Sequence, residues 1–313
     1  MGTGFEFALS EVSLVLFTTL APSGAVAFVL MSLPLFGARL GGGAGAGEGE
    51  QPEGAAQPGG ASQPEGERAR LSKLLCIPLV VAMAGLVASA THLGNPDNAL
   101  YVIAGIGRSP LSNEVASAVA FLAFAGVYWL LSFSQRFPLG AQRVWLALSA
   151  LAAAMFVWSV ANAYGRETIP TWNLWEVPAA LILNSLVGGP AVALAGFRAA
   201  RLGAGERHRF LLLGLAAAAL AANLAVYILQ GIDLGGLRNA FGPAAALAPG
   251  YWPAVAAFAL LCAAGLAALA RARRFAERRL ALLAWSLGGC ALVLAGIFVM
   301  RFAFYMSHMT VGL

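Results

Sequence analysis

Charge is what this chain has least of. Asp, Glu, Lys and Arg make up 11% of its 313 residues against 60% for the apolar set, and mean hydropathy is +0.78. A soluble domain carries roughly 25% charged residues, so a water-soluble fold is excluded and the sequence reads as an integral membrane protein. Cysteine and histidine are scarcer still, three of each. Cys76, Cys262 and Cys290 stand singly in apolar stretches with no Cys-x-x-Cys spacing. They predict small buried hydrophobes, and the protein is expected to hold no iron–sulfur cluster and no structural zinc. His92 ends a span, His208 sits in an Arg cluster and His308 lies beyond the last span. No two histidines face each other within spans, which argues against a bis-histidine haem.

What is abundant is long apolar runs. Eight of them, about 18 to 25 residues each, are long enough to cross a hydrocarbon core of roughly 30 Å as helices. They run approximately over 12–36, 74–92, 111–133, 144–163, 177–197, 210–229, 253–270 and 280–302. They are rich in Ala, Leu, Gly and Val and lack period-2 alternation, which predicts a helical bundle rather than a β-barrel. Residues 1–313 therefore read as a single membrane domain.

One segment is of another kind. Residues 37–70 turn to Gly, Ala, Glu, Gln and Pro, with Gln-Pro-Glu-Gly at Gln51 and again at Gln63. Too little apolar surface is present to offset the entropy of ordering, so a disordered linker between spans one and two is expected.

Of 19 Lys and Arg, all but Arg108, Arg166, Arg238 and Arg301 fall after spans one, three, five and seven. The positive-inside rule makes those segments cytoplasmic and puts both termini on the outer side. The first twenty residues hold Glu6 and Glu11 but no cation, so span one reads as a retained anchor rather than a cleaved signal. The net charge of +5 is explained by insertion and anionic lipid and calls for no nucleic-acid partner.

Two outer stretches keep polar residues where spans end: Thr91-His92-Leu93-Gly94-Asn95-Pro96 and Ser109-Pro110-Leu111-Ser112-Asn113-Glu114. Ser109 and Pro110 suit the N-cap and first position of span three. Glu114 then lies about one turn inside the boundary, where a lone carboxylate costs roughly 2–4 kcal/mol. His92 is at comparable depth on the preceding span, so the two could face one pocket and exchange protons with a hydrophobic ligand that gives protons up. A quinol is such a ligand. The structural alternative pairs Glu114 with Arg108 and leaves His92 to close its helix. Tyr164, Trp172, Trp175, Tyr251, Trp252 and Tyr305 also gather at outer ends, as a pocket lining or an interfacial belt. Asp233 follows span six, and Gly188-Gly189-Pro190 interrupts span five, as a broken helix or a close packing point.

Taken in order, Gly4, Thr91-His92-Leu93-Gly94-Asn95-Pro96, Leu111-Ser112-Asn113-Glu114-Val115-Ala116-Ser117, Ile169-Pro170-Thr171-Trp172, Gly188-Gly189-Pro190, Gln230-Gly231 and Phe304-Tyr305-Met306-Ser307-His308-Met309-Thr310 span nearly the whole sequence. They resemble the membrane anchor subunit of dimethyl sulfoxide reductase. The resemblance implies an eight-helix anchor in a three-subunit complex. Its partners would be a molybdopterin catalytic subunit and a ferredoxin-like subunit with four iron–sulfur clusters. The anchor itself would carry neither haem, cluster nor molybdopterin. It further implies binding of menaquinol at the outer face, with the functional histidine at His92 and the glutamate at Glu114. Gly94, Pro96, Arg108, Asn113, Arg301, Tyr305 and His308 are candidates for headgroup contact or partner docking. The long Gly/Glu/Pro insertion departs from the family pattern. Two rival classes remain: a secondary transporter using span five and Asn184, and an anchor without a quinone site.

Overall fold

The computed structural model of the protein describes residues 4–36, 62–92, 101–134, 137–165, 167–199 and 206–310. Gly94, Pro96 and the linker up to residue 61 lie outside them.

A short helix α1 (Gly4–Ser10) leads into α2 (Val12–Phe36). α3 (Ser62–Leu74) and α4 (Cys76–Ala90) follow end to end, and α5 (Tyr101–Ala104) is one turn before α6 (Pro110–Leu131). Then come α7 (Leu139–Ala163), α8 (Glu176–Ala199) and α9 (Glu206–Gly236). A two-stranded hairpin, Arg238–Asn239 with Gly242–Pro243, precedes α10 (Tyr251–Arg271) and α11 (Arg279–Met306). Among the described residues eight helices are long and apolar enough to cross a membrane, the second being α3 and α4 read together from Gly66. The expected eight-span, all-α fold is therefore present. Helix α3 begins inside the segment expected to be linker, because Glu67-Arg68-Ala69-Arg70-Leu71 carries good helix formers up to the membrane. Asp233, expected after span six, lies within α9, which runs on to Gly236.

α2 and α8 are the most enclosed helices and pack on each other at the centre, with α4, α7 and α11 around α2 and α9 and α11 beside α8. The contact is close because it is made by small residues. A β-carbon on Gly188 would run into Ser23, and one on Gly189 into Val26. Gly188-Gly189-Pro190 thus leaves α8 unbroken and brings two backbones together, the membrane alternative to burying apolar surface. Gly265 and Gly289 do the same for α10 and α11, each facing the other's carbonyl. Large apolar side chains such as Val80, Leu260 and Leu280 point outward, as a lipid-facing surface requires.

The two ends of the bundle differ. At one end α1 lies against α11: Gly4 abuts the carbonyls of Met306 and Leu247, and Phe7 stacks on His308 with centroids 4.2 Å apart. The first and last described residues therefore share this end. At the other end arginines close helix C-termini, where carbonyls lack intrahelical donors. Arg68 Nη1 donates to Leu35 O at 2.6 Å, Arg198 Nη2 to Leu269 O at 2.7 Å, and Arg279 to the carbonyls of Arg198 (2.6 Å) and Ala199 (2.8 Å).

Candidate functional site

The ionisable groups of interest all lie at the end that carries the termini. Ser109 adopts an extended backbone and its hydroxyl accepts from Ser112 N, with Pro110 opening α6, as the sequence predicts. Asn113 is committed to the same turn: its Oδ1 accepts from Gly107 N at 2.7 Å. Gly107 has φ +83°, a left-handed conformation for which glycine is suited. Asn113 therefore shapes the approach to α6, and Arg108 beside it is exposed.

One turn further, Glu114 is turned into the bundle and only 6% exposed. It joins a cluster built by α2, α6, α11 and the residue that closes α7. Arg301 of α11 is 2% exposed, and its Nε donates to Thr18 Oγ1 of α2 at 3.0 Å. Thr18 can accept because its own proton goes to Leu14 O at 2.9 Å. The guanidinium lies 4.2 Å from the Phe304 ring centroid, 5.2 Å from Tyr164 and 5.5 Å from Tyr305. Cation–π contact thus replaces much of the hydration that a buried cation forfeits. Tyr305 and Tyr164 join hydroxyl to hydroxyl at 2.9 Å. Burial pushes the Tyr164 phenol well above its ordinary value, Tyr305 and the Glu114 carboxylate reinforce the shift, and Arg301 opposes it. Glu114 and Arg301 thus act on the same phenol with opposite sign.

His92 stands apart from this cluster. It closes α4 at the surface with its side chain 42% exposed, and its Nε2 lies 3.2 Å from Oε2 of Glu11, which is 14% exposed. Glu11 occupies the joint between α1 and α2, where its carbonyl accepts from Leu14 N and Val15 N. No local signal pairs the two residues, since the contact joins segments far apart in sequence.

His308 belongs to an aromatic panel. It stacks on Phe7 and meets Trp172 at 5.1 Å, edge to face. Burial pulls its pKa below the usual imidazole value. With Phe7 and Asn239 it lines a cleft of about 350 Å³ under the hairpin. Thr171 ties this region down by donating to Ser307 O at 2.6 Å and accepting from Met309 N at 3.3 Å.

Deeper in, Asn184 donates to the Tyr227 hydroxyl at 2.7 Å and accepts from Asn223 at 2.8 Å. These bonds knit α8 to α9, so Asn184 serves helix packing. Tyr251 lies 2.7 Å from Tyr227 O and 3.2 Å from Gln230 Oε1, and Gly231 leaves room for the rings of Tyr251 and Trp252. Among the described residues no group of three or more His, Cys, Asp or Glu could hold a metal ion.

Eight apolar spans among the described residues define a multi-pass membrane protein. Residues 61–306 match the family model described as DMSO reductase anchor subunit (DmsC), and the protein belongs to that family. It is similar to the YnfH component of anaerobic dimethyl sulfoxide reductase from Escherichia coli, with 33% identity over 257 residues covering 80% of this protein and 86% of the relative. The C subunit of anaerobic dimethyl sulfoxide reductase from the same organism is 32% identical over 232 residues (73% and 79%). The C subunit from Haemophilus influenzae is 28% identical over 246 residues (79% and 85%).

Proposed function

We propose that this protein is the membrane anchor of a dimethyl sulfoxide reductase-like molybdoenzyme complex of anaerobic respiration, and that it oxidises menaquinol at its termini-bearing end. The family and the names of the relatives support the anchor role. The gathering of cations at the opposite end supports an outer location for the working face in the cytoplasmic membrane. The single observation that carries the quinol reading is the placement of His92 and Glu114 at that one end, the first accessible at the surface and the second enclosed where its charge, like that of Arg301, is felt by Tyr164.

Oxidation of a quinol to a quinone releases two protons and two electrons. His92 takes the first proton from a headgroup hydroxyl, and Glu114 carries the second. Such positioned bases contribute about 10²–10⁴ to a rate. The electrons pass to a ferredoxin-like iron–sulfur subunit docked on the same face, and on to a molybdopterin catalytic subunit. Alone, the anchor is not an enzyme.

His92→Arg places a permanent cation where a proton acceptor is needed. Quinol-dependent turnover is expected to vanish while the complex assembles and reduces its acceptor from an artificial soluble donor. Glu114→Gln is expected to slow quinol oxidation without preventing assembly. Wild-type quinol turnover in both variants would leave an anchor without a quinone site.

A further inference from the structure

We propose that Glu11 is the positioning carboxylate of His92, an inference that rests on the quinol reading. The Glu11 Oε2 to His92 Nε2 distance is 3.2 Å, within ion-pair range. Glu11 is the more enclosed partner, at 14% against 42% exposure, so the carboxylate lies on the inner side of the pair. The Oε2 atom is itself buried, and among the described residues it has no hydrogen-bond partner, so its contact with His92 is one of charge. Both residues sit on fixed backbone: His92 N donates to Ser89 O at 3.0 Å, and the Glu11 carbonyl receives Leu14 N at 2.9 Å.

A negative charge beside one ring nitrogen favours the proton there and leaves the other nitrogen as the acceptor. Glu11 stands beside Nε2, so Nδ1 is the atom that accepts from the quinol. In the reaction a headgroup O–H bond breaks and an Nδ1–H bond forms. The resulting imidazolium is stabilised by the Glu11 charge, and it later gives the proton to the outer aqueous phase. The two electrons leave to the iron–sulfur cluster of the partner subunit, which is the oxidant. Glu11 neither touches the quinol nor changes its own proton count.

The test uses the whole complex with menaquinol analogues. Glu11→Gln keeps the size and removes the charge. Expected is a fall in kcat of about 10- to 100-fold, part of what a positioned base supplies, with KM changed less than about threefold. Activity with the soluble donor stays at the wild-type level. In a His92→Asn background, Glu11→Gln is expected to add no further loss of the residual quinol oxidation, because the two residues act as one unit. Should Glu11→Gln fail to assemble, Glu11→Asp, which keeps the charge on a shorter arm, is read in the same cycle. Wild-type kcat in the Glu11 variant, or an undiminished effect in the His92→Asn background, overturns the assignment while the quinol reading stands. Wild-type turnover in His92→Asn overturns both.

Discussion

Arg301 and Thr18 are 283 positions apart in sequence and 3.0 Å apart in space, a single hydrogen bond that joins the last span to the first. The guanidinium is buried, and among the described residues its Nη2 has no hydrogen-bond partner. Thr18→Val keeps the shape and deletes the acceptor, so it is expected to cost about 1–3 kcal/mol, the penalty of a buried donor left unpaired. Arg301→Lys is expected to cost more, since an ammonium cannot lie flat among Phe304, Tyr164 and Tyr305. Denaturant unfolding in micelles measures both, and a neutral Thr18→Val would show that the hydroxyl does not hold the cation.

The α2–α8 contact makes a sharper steric prediction. Gly188→Val drives a side chain into Ser23, where the clash is with a neighbour in the most enclosed part of the bundle. Expected is a loss of folded, membrane-extracted protein of severalfold or more, whereas Gly126→Ala, which meets nothing within 4 Å, leaves the yield unchanged. Equal yields would mean that the two helices do not pack as described.

His308 supplies a pH dependence. Its folded pKa is lowered by burial, so the unfolded protein binds the proton more readily. Stability from this group is complete above the unfolded imidazole pKa of about 6.5 and falls as pH drops through it toward the lower folded value. His308→Phe keeps the ring against Phe7 and removes the titration, so its stability is expected to fall less between neutral and mildly acidic pH than that of the wild type. Parallel melting curves across that range would refute the effect.

Orientation is testable with reporters. A periplasmic reporter fused after Leu313 is expected to be active, and one inserted between residues 41 and 60 is expected to report cytoplasm. The reverse at either position would move the proposed quinol face to the other side of the membrane.

Deleting residues 43–60 is expected to leave insertion and quinol oxidation nearly unchanged, because closure entropy varies slowly with loop length. The family match begins at residue 61, after this stretch. Failure of the complex to assemble would show that the segment binds something.

The spans were legible because each is a local property: an unbroken apolar run declares its own length. Ser109 and Pro110 were equally local, and the start of α6 fell within a residue of its expected place. Helix ends that overshoot the membrane were not, so Asp233 looked like loop. The two candidate residues could be picked out of the sequence, and the groups they meet in the fold could not. Glu114 could be read as out of place in an apolar span, but nothing near it in sequence names Arg301 or Tyr164. Glu11 looked like one of two acidic residues before a span, and only the fold sets it against His92. Asn113, a candidate contact by residue type, is spent on Gly107. Pairing across the bundle is long-range information, which composition and periodicity do not carry.

The position of Arg301 has a consequence for biogenesis. Among the described spans α2 leaves the ribosome first and α11 last, so Thr18, Glu114 and Tyr164 have emerged before the cation that completes their cluster has been translated. The clasp of Thr171 on Ser307 closes later still. Until then the nascent bundle presents an unfinished polar face to the membrane and to any partner subunit. Insertion of α11 is thus the step that brings Arg301 to the residues waiting for it.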